Sequence, residues 1–119
     1  MAVILVVEDD QDMREWVCLH LRNAGHTAHA VANGFQAAAT ALKVNPDLVV
    51  SDLHMPGMGG FDMLKIMNSE KALHGIPVIF LTVDDTKRER GAQLGAVEYL
   101  TKPVAPAALV EAVQKHLVK

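Results

Sequence analysis

The chain has 119 residues, of which 50% are hydrophobic and 21% are charged, and its formal net charge is −3. This length and composition are typical of one globular domain and exclude a disordered chain, while the small acidic excess argues against direct binding to nucleic acid. The single cysteine, Cys18, excludes an internal disulfide and a cysteine-based zinc site.

The first two predicted elements are a buried strand and an amphipathic helix. Residues Ala2–Val7 form an almost continuous run of Val, Ile and Leu, which is typical of a strand covered on both faces. From Asp12 to about Ala24, apolar residues recur at helical spacing. Either Asp10 or Asp12 is expected to cap this helix.

The alternation of strand and helix then repeats to the end of the chain. Further strands are predicted at Thr27–Val31, Asp47–Ser51, Pro77–Leu81 and Val97–Leu100, and further helices at Gly34 to about Val44, Phe61 to about Leu73, Thr86 to about Leu94 and Pro106 to about Val118. Such a series predicts an α/β fold, a doubly wound (βα)5 sandwich with a five-stranded parallel sheet in the order 2-1-3-4-5 and helices on both faces. Since no linker or internal repeat interrupts the series, we expect a single domain over residues 1–119.

Membrane insertion and export are not expected from this sequence. No apolar run approaches the roughly 18 residues of a membrane span. Met1–Val7 lacks the basic start of a signal peptide and runs directly into acidic residues. We therefore expect a cytoplasmic protein.

Four of the predicted strands end beside polar side chains that can handle phosphate or a metal ion, namely Glu8 and Asp9, Asp52, Thr82 and Lys102. The carboxyl ends of parallel strands share one edge, where open α/β sheets place their ligand sites. Carboxylates about 4 Å apart repel by roughly 4 kcal/mol at an effective dielectric near 20, so a cation must join them. A hard dication, Mg²⁺ or as an alternative Mn²⁺, suits this donor set. The combination of these carboxylates and a metal ion with a lysine and a hydroxyl predicts phosphoryl transfer with Asp52 as the nucleophile.

These residues resemble the receiver domain of two-component response regulators of the chemotaxis-regulator type. The resemblance rests on Val-Val-Glu-Asp-Asp, Ser-Asp-Leu-His-Met-Pro-Gly-Met-Gly-Gly, Leu-Thr-Val and Tyr-Leu-Thr-Lys-Pro, which occur in this order and cover essentially the whole chain. It implies a phosphorelay signalling switch, not a turnover enzyme, that promotes its own phosphorylation and dephosphorylation. The phosphoryl donor would be a sensor histidine kinase or a histidine phosphotransfer protein, and the output would act on a downstream protein target or output domain.

The resemblance also implies a role for each acidic residue of the site. Asp52 would be the phosphoacceptor and one of the magnesium ligands. Asp9 would bind Mg²⁺ directly, Glu8 would bind it through water, and His54 would contribute its backbone carbonyl.

Phosphate binding and switching are implied for residues of the last two strands. Lys102 and Thr82 would bind the phosphoryl oxygens, and the bond between Lys102 and Pro103 would be a cis peptide. Thr82 and Tyr99 match the switch pair, in which the hydroxyl moves to the phosphate and the aromatic ring turns inward. Phosphorylation would then shift the population between two surface arrangements.

The first predicted helix carries semi-apolar residues, Trp16, Leu19 and His20, outside its core face. In receiver domains the exposed part of this helix docks the phosphodonor. We therefore hypothesise that Trp16 and His20 contribute to that contact.

Other interpretations remain open at this stage. Individually, Asp9 can cap a helix, Thr82 can begin a turn and Lys102 can be an ordinary solvated lysine. The chain can also be a degenerate receiver that acts as a constitutive protein-binding module. A small aspartate-nucleophile phosphatase of the haloacid dehalogenase type would need a second acid where His54 stands. A flavodoxin-like nucleotide or flavin module is disfavoured because the acids after the first strand repel phosphate.

The sequence ends soon after the fifth predicted helix, so no DNA-binding or enzymatic output domain is expected within these residues. Both a stand-alone regulator and a receiver cut from a longer protein fit this pattern.

Overall fold

Strands and helices alternate along the chain as the sequence predicts. The computed structural model describes residues 2–117. Within them the strands are β1 (Val3–Val7), β2 (Thr27–Val31), β3 (Leu48–Ser51), β4 (Val78–Thr82) and β5 (Glu98–Thr101), and the helices are α1 (Gln11–Asn23), α2 (Gly34–Val44), α3 (Gly60–Ser69), α4 (Arg88–Gln93) and α5 (Pro106–Leu117). Each strand boundary lies within one residue of the predicted one.

The five strands described form one parallel sheet in the order β2-β1-β3-β4-β5. This confirms the predicted fold class and strand order. Val7 lies opposite Ser51 in the register of β1 and β3, and Thr82 lies opposite Thr101 in the register of β4 and β5. The carboxyl ends of these four strands therefore lie side by side.

The sheet divides the core in two because successive side chains of a strand point to opposite faces. On one face, Leu5, Val7 and Phe80 pack against α2 and α3. On the other face, Ile4 and Val6 pack with side chains of α1 and α5. Burial on both faces explains why β1 reads as a continuous apolar run.

Helix α1 begins where the sequence places a capping carboxylate. Of the two predicted candidates, Asp10 is the cap, and its side chain accepts a hydrogen bond of 2.8 Å from the backbone N–H of Met13. Asp12 lies in the first turn. Among residues 2–117, no helix combines the length and the hydropathy needed to cross a bilayer.

Two helices are shorter than predicted. Helix α3 ends at Ser69 and not near Leu73, because the chain turns at Glu70 and Leu73 enters the core from that turn. Helix α4 begins at Arg88 and not at Thr86. There the carboxylate of Asp84 accepts hydrogen bonds from the backbone N–H and the hydroxyl of Thr86, which holds a turn before the helix. The predicted end of the last helix, Val118, lies outside the described residues.

Candidate functional site

The polar residues predicted at the strand ends converge at one edge of the sheet. Backbone hydrogen bonds set this arrangement: the N–H of Asp52 donates to the carbonyl of Val7 at 2.9 Å, and the N–H of Lys102 donates to the carbonyl of Thr82 at 2.8 Å. Each of these bonds joins the first residue beyond one strand to the last residue of its neighbour. The site is thus held by the sheet and not by a flexible loop.

Three carboxylates form the acidic part of the site. Glu8, Asp9 and Asp52 each offer an oxygen, and these oxygens lie within 4.8 Å of one another. Glu8 is buried and Asp9 is exposed, so the group opens toward solvent on one side. Burial raises the pKa of Glu8, although hydrogen bonds from Lys102 and from a backbone N–H oppose this effect. Such a donor set fits a hard divalent cation that keeps some of its water.

Lys102 supplies the fixed positive charge. Its Nζ lies 2.7 Å from Oε1 of Glu8 and 3.2 Å from Oδ2 of Asp52. Burial works to lower the pKa of Lys102, but the hydrogen bonds and charges of Glu8 and Asp52 outweigh this and raise it. The ammonium group is therefore charged at neutral pH. The peptide bond between Lys102 and Pro103 is cis.

The carboxylate of Asp52 is held at both oxygens. Oδ1 accepts a hydrogen bond of 2.6 Å from the backbone N–H of Leu53, and Oδ2 faces Lys102. The hydroxyl of Ser51 donates to the carbonyl of Asp52 at 2.7 Å. Asp52 remains partly exposed, so a reactant can approach a carboxylate whose direction is already set.

Thr82 and Tyr99 meet at one residue, Asp84. The hydroxyl of buried Thr82 accepts a hydrogen bond of 3.3 Å from the N–H of Asp84, and the hydroxyl of Tyr99 donates to the carbonyl of Asp84. Tyr99 is only 6% exposed, and its ring packs edge-on against Phe80. Burial, followed by the charge of Asp84, raises the pKa of Tyr99. The two predicted switch residues are thus connected through the loop after β4.

The side chain of His54 contacts that same loop. Its Nε2 lies 2.6 Å from Oδ2 of Asp84, and 62% of the side chain is exposed. The metal-binding role predicted from the sequence concerns the backbone carbonyl of His54. The imidazole contact is an additional feature of the site.

The two residues predicted to dock a partner lie beside each other on α1. The rings of Trp16 and His20 have centroids 4.6 Å apart and meet at 63°. Trp16 also lines a mostly apolar open groove of about 520 Å³ that reaches the site, with Asp10, Asp12, Met13, Val83, Lys102, Pro103 and Val104. His20 borders the indole and does not line the groove.

Sequence reasoning missed three residues at this edge. Arg14 donates from its guanidinium to the carbonyl of Glu8 at 2.8 Å and so holds the acidic loop. Asp84 joins His54 to the switch pair, and Arg88 lies over the ring of Tyr99 with 5.0 Å between the guanidinium carbon and the ring centroid. Of these, Asp84 alone left a local signal, because Asp followed two residues later by Thr is typical of a side-chain-capped turn.

The chain is similar in sequence and in structure to known proteins. A family model described as "Response regulator receiver domain" matches residues 4–114. Over 116 residues the chain is 37% identical to the transcriptional regulatory protein HprR of Escherichia coli and 34% identical to the DNA-binding response regulator MtrA of Mycobacterium tuberculosis. Each match covers 96% of this chain, and it covers 51% of HprR and 50% of MtrA. The chain therefore spans about half the length of these curated relatives. The structure of the chemotaxis response regulator CheY4 of Vibrio cholerae is 31% identical, with a TM-score of 0.91 and 98% of both chains covered.

Proposed function

Because this chain belongs to the response regulator receiver domain family, we propose that Asp52 is the residue on which it accepts a phosphoryl group. As a receiver domain it is a phosphoacceptor signalling switch. The observation that carries the assignment to Asp52 is the geometry of its carboxylate, which is partly exposed and oriented by Leu53 and Lys102 within a group of three acids. We further propose that residues 1–119 act as a single receiver domain.

Each residue of the site has a separate role in phosphoryl transfer. An oxygen of Asp52 attacks the phosphorus of a phosphohistidine, the P–N bond breaks, and its electron pair returns to the donor's imidazole. Lys102 neutralises charge on the phosphoryl oxygens, and the hydroxyl of Thr82 moves to donate to one of them. Glu8, Asp9, Asp52 and the carbonyl of His54 would hold Mg²⁺. The bound ion would supply charge neutralisation and orientation of the phosphoryl group.

The phosphoacceptor assignment predicts uptake of one phosphoryl group. Incubation with Mg²⁺ and acetyl phosphate or phosphoramidate is expected to add one phosphoryl group to the intact mass, and chelation of the metal or Asp52→Asn is expected to abolish this gain, because the nucleophile or the charge balance is then missing. Circular dichroism of the variant checks that it is folded. A folded wild-type chain that gains no mass with either donor would contradict the assignment and favour a constitutive binding module. Sustained release of phosphate without a stable adduct would instead favour a phosphatase.

We propose that the donor is a sensor histidine kinase or a histidine phosphotransfer protein and that it docks at the groove beside Trp16. The groove lies next to Lys102, so a protein seated on it would bring its phosphohistidine close to Asp52. Val83, at the rim, is 74% exposed and offers further apolar surface. The downstream target or output domain would contact the surface around Tyr99.

Removal of the indole is expected to slow transfer from the cognate donor. Trp16→Ala should lower the transfer rate at limiting donor concentration by about tenfold, which is the loss typical of a buried aromatic anchor at an interface. Phosphorylation by acetyl phosphate should not change, since it needs no docking surface. Leu19→Ala is the control, because Leu19 lies on the same helix and is 53% exposed but does not line the groove. Equal transfer rates in the wild type and the Trp16 variant would refute the docking role.

A further inference from the structure

One side-chain contact joins the loop that carries the proposed phosphoacceptor to the loop that follows β4. His54 lies two residues after Asp52 in the loop that follows β3, and Asp84 lies two residues after Thr82 in the loop that follows β4. The 2.6 Å contact between Nε2 of His54 and Oδ2 of Asp84 bridges the two loops. The phosphoacceptor loop is thereby attached to the loop that carries the switch.

Asp84 is well placed to keep this contact. Its Oδ1 accepts hydrogen bonds from the backbone N–H of Thr86 at 2.9 Å and from the hydroxyl of Thr86 at 2.5 Å. The hydrogen bond from the Thr86 hydroxyl, followed by those from His54 and from the Thr86 N–H, holds the pKa of Asp84 well below its usual range. The carboxylate is therefore ionised at neutral pH, and its side chain is only 18% exposed. One oxygen shapes the loop while the other remains directed at the imidazole.

The backbone of the same residue holds the switch aromatic. The carbonyl of Asp84 accepts the hydroxyl of Tyr99, and Arg88 covers the ring while its guanidinium donates to the carbonyl of Tyr99. A shift of the loop would move the carbonyl of Asp84 and remove the acceptor of a buried hydroxyl. Since an unpaired buried hydroxyl is costly, the ring would then turn toward solvent.

We propose that Asp84 is a positioning residue that couples the phosphoacceptor loop to the switch, its carboxylate holding His54 and its carbonyl holding Tyr99 in the buried position. The inference rests on the proposed function in treating Tyr99 as a switch. The contacts of Asp84 with His54 and with Tyr99 join protein atoms only, so both can form without a phosphoryl group on Asp52. This coupling through the side chain of Asp84 differs from coupling through Thr82, whose hydroxyl accepts a hydrogen bond from the N–H of Asp84.

The size of the expected effect follows from the exposure of the contact between His54 and Asp84. Because the imidazole of His54 is mostly exposed, its contact with Asp84 is worth little, and its loss should shift the ratio of exposed to buried Tyr99 by about two- to fivefold. Asp84→Ala should produce a larger shift than His54→Ala, because it also removes the hydrogen bonds to Thr86. Once Asp84 is alanine, a further His54→Ala change should add nothing, since both changes break the same contact.

The sequence provides a direct probe, because Tyr99 is the only tyrosine. The 119-residue chain labelled with 3-fluorotyrosine gives one ¹⁹F resonance per ring environment, and the difference in its shift between H₂O and D₂O reports exposure. The spectra are recorded with chelator and without any phosphodonor. Asp85→Ala is the matched control: Asp85 is an exposed neighbour whose charge also acts on the pKa of Tyr99, so it removes a similar charge while leaving the contact with His54.

The inference predicts a buried resonance in the wild type and in Asp85→Ala, and a larger exposed population in His54→Ala and Asp84→Ala with no additional effect in the double variant. An exposed population of Tyr99 in His54→Ala that is no larger than in the wild type, a predominantly exposed ring in the wild type, or additive effects in the double variant would each overturn it. None of these spectra requires phosphorylation. If Asp52 failed to accept a phosphoryl group, the proposed function would be refuted, but the spectra would still test the role of Asp84.

Discussion

Gly60→Ala is expected to lower the free energy of unfolding by about 2–3 kcal/mol. A Cβ at Gly60 would lie 2.6 Å from the carbonyl oxygen of Asp52, 2.7 Å from Cε1 of Phe80 and 3.1 Å from Cα of Leu53. Two of these neighbours are backbone atoms next to the proposed phosphoacceptor, and they cannot yield without moving it. The higher helix propensity of alanine, about 1 kcal/mol in a helix interior, is too small to compensate at the first position of α3.

Urea denaturation followed by circular dichroism measures this loss. Gly75→Ala is the matched control, because a Cβ at Gly75 meets nothing within 4 Å, and its effect should stay within about 0.5 kcal/mol. Equal midpoints and slopes of the denaturation curves for Gly60→Ala and the wild type would contradict the close packing of α3 against the loop that contains Asp52. The Gly60 variant should also accept a phosphoryl group more slowly, because the carboxylate is displaced.

Lys102→Ala is expected to lower the free energy of unfolding by about 3 kcal/mol at neutral pH when no divalent cation is added. The change leaves Glu8 and Asp52 without the ammonium group that lies 2.7 Å and 3.2 Å from them. Only 4% of the Glu8 side chain and 12% of the Asp52 side chain are exposed, so water cannot fully replace the lost partner. The same change should strongly reduce phosphoryl uptake, since a fixed cation next to the reacting oxygens is removed.

The pH dependence of this loss has a definite sign. Because the pKa of Lys102 is raised in the folded state, its stabilisation is fully present below the unfolded-state lysine pKa of about 10.4 and is lost as the pH rises through the folded-state pKa. As the pH rises from neutrality, the difference in the free energy of unfolding between the wild type and Lys102→Ala should thus shrink only once strongly alkaline pH is reached. Lys115→Ala is the control, since Lys115 is 67% exposed and lies 3.9 Å from its partner Glu98, and it should change stability by less than about 0.5 kcal/mol. A similar small loss for Lys102→Ala would show that the cluster does not depend on its ammonium group.

The strand order and the place of the site were predictable because both depend on patterns that act along the chain. Apolar runs of four to six residues such as Ala2–Val7 mark buried strands. The polar residue after each run reaches the shared edge through the parallel register alone. The residue types at these strand ends predicted phosphoryl transfer with Asp52 as the nucleophile, and the match to family motifs added the phosphohistidine donor and the switch role of Thr82. Nothing in the strand pattern itself separates a phosphoacceptor from a metal ligand.

The features that escaped prediction depend on contacts between residues far apart in sequence. His54 and Asp84 are separated by 30 positions in the sequence. Their contact depends on how two loops are positioned relative to each other, which no local propensity specifies. The early end of α3 has a similar origin. Leu73 continues the apolar pattern of the helix, yet the core receives it from a turn, so tertiary burial and not helix propensity accounts for its position.

The residue that carries the phosphoryl group can be identified chemically, which tests the phosphoacceptor role of Asp52 directly. Protein phosphorylated with Mg²⁺ and acetyl phosphate is treated with borohydride, which reduces an aspartyl phosphate to homoserine, and is then digested and sequenced by mass spectrometry. We expect homoserine at position 52 and unchanged aspartate at Asp9 and Asp10. Homoserine at another position, or a phosphoryl group on a histidine with Asp52 intact, would contradict that role.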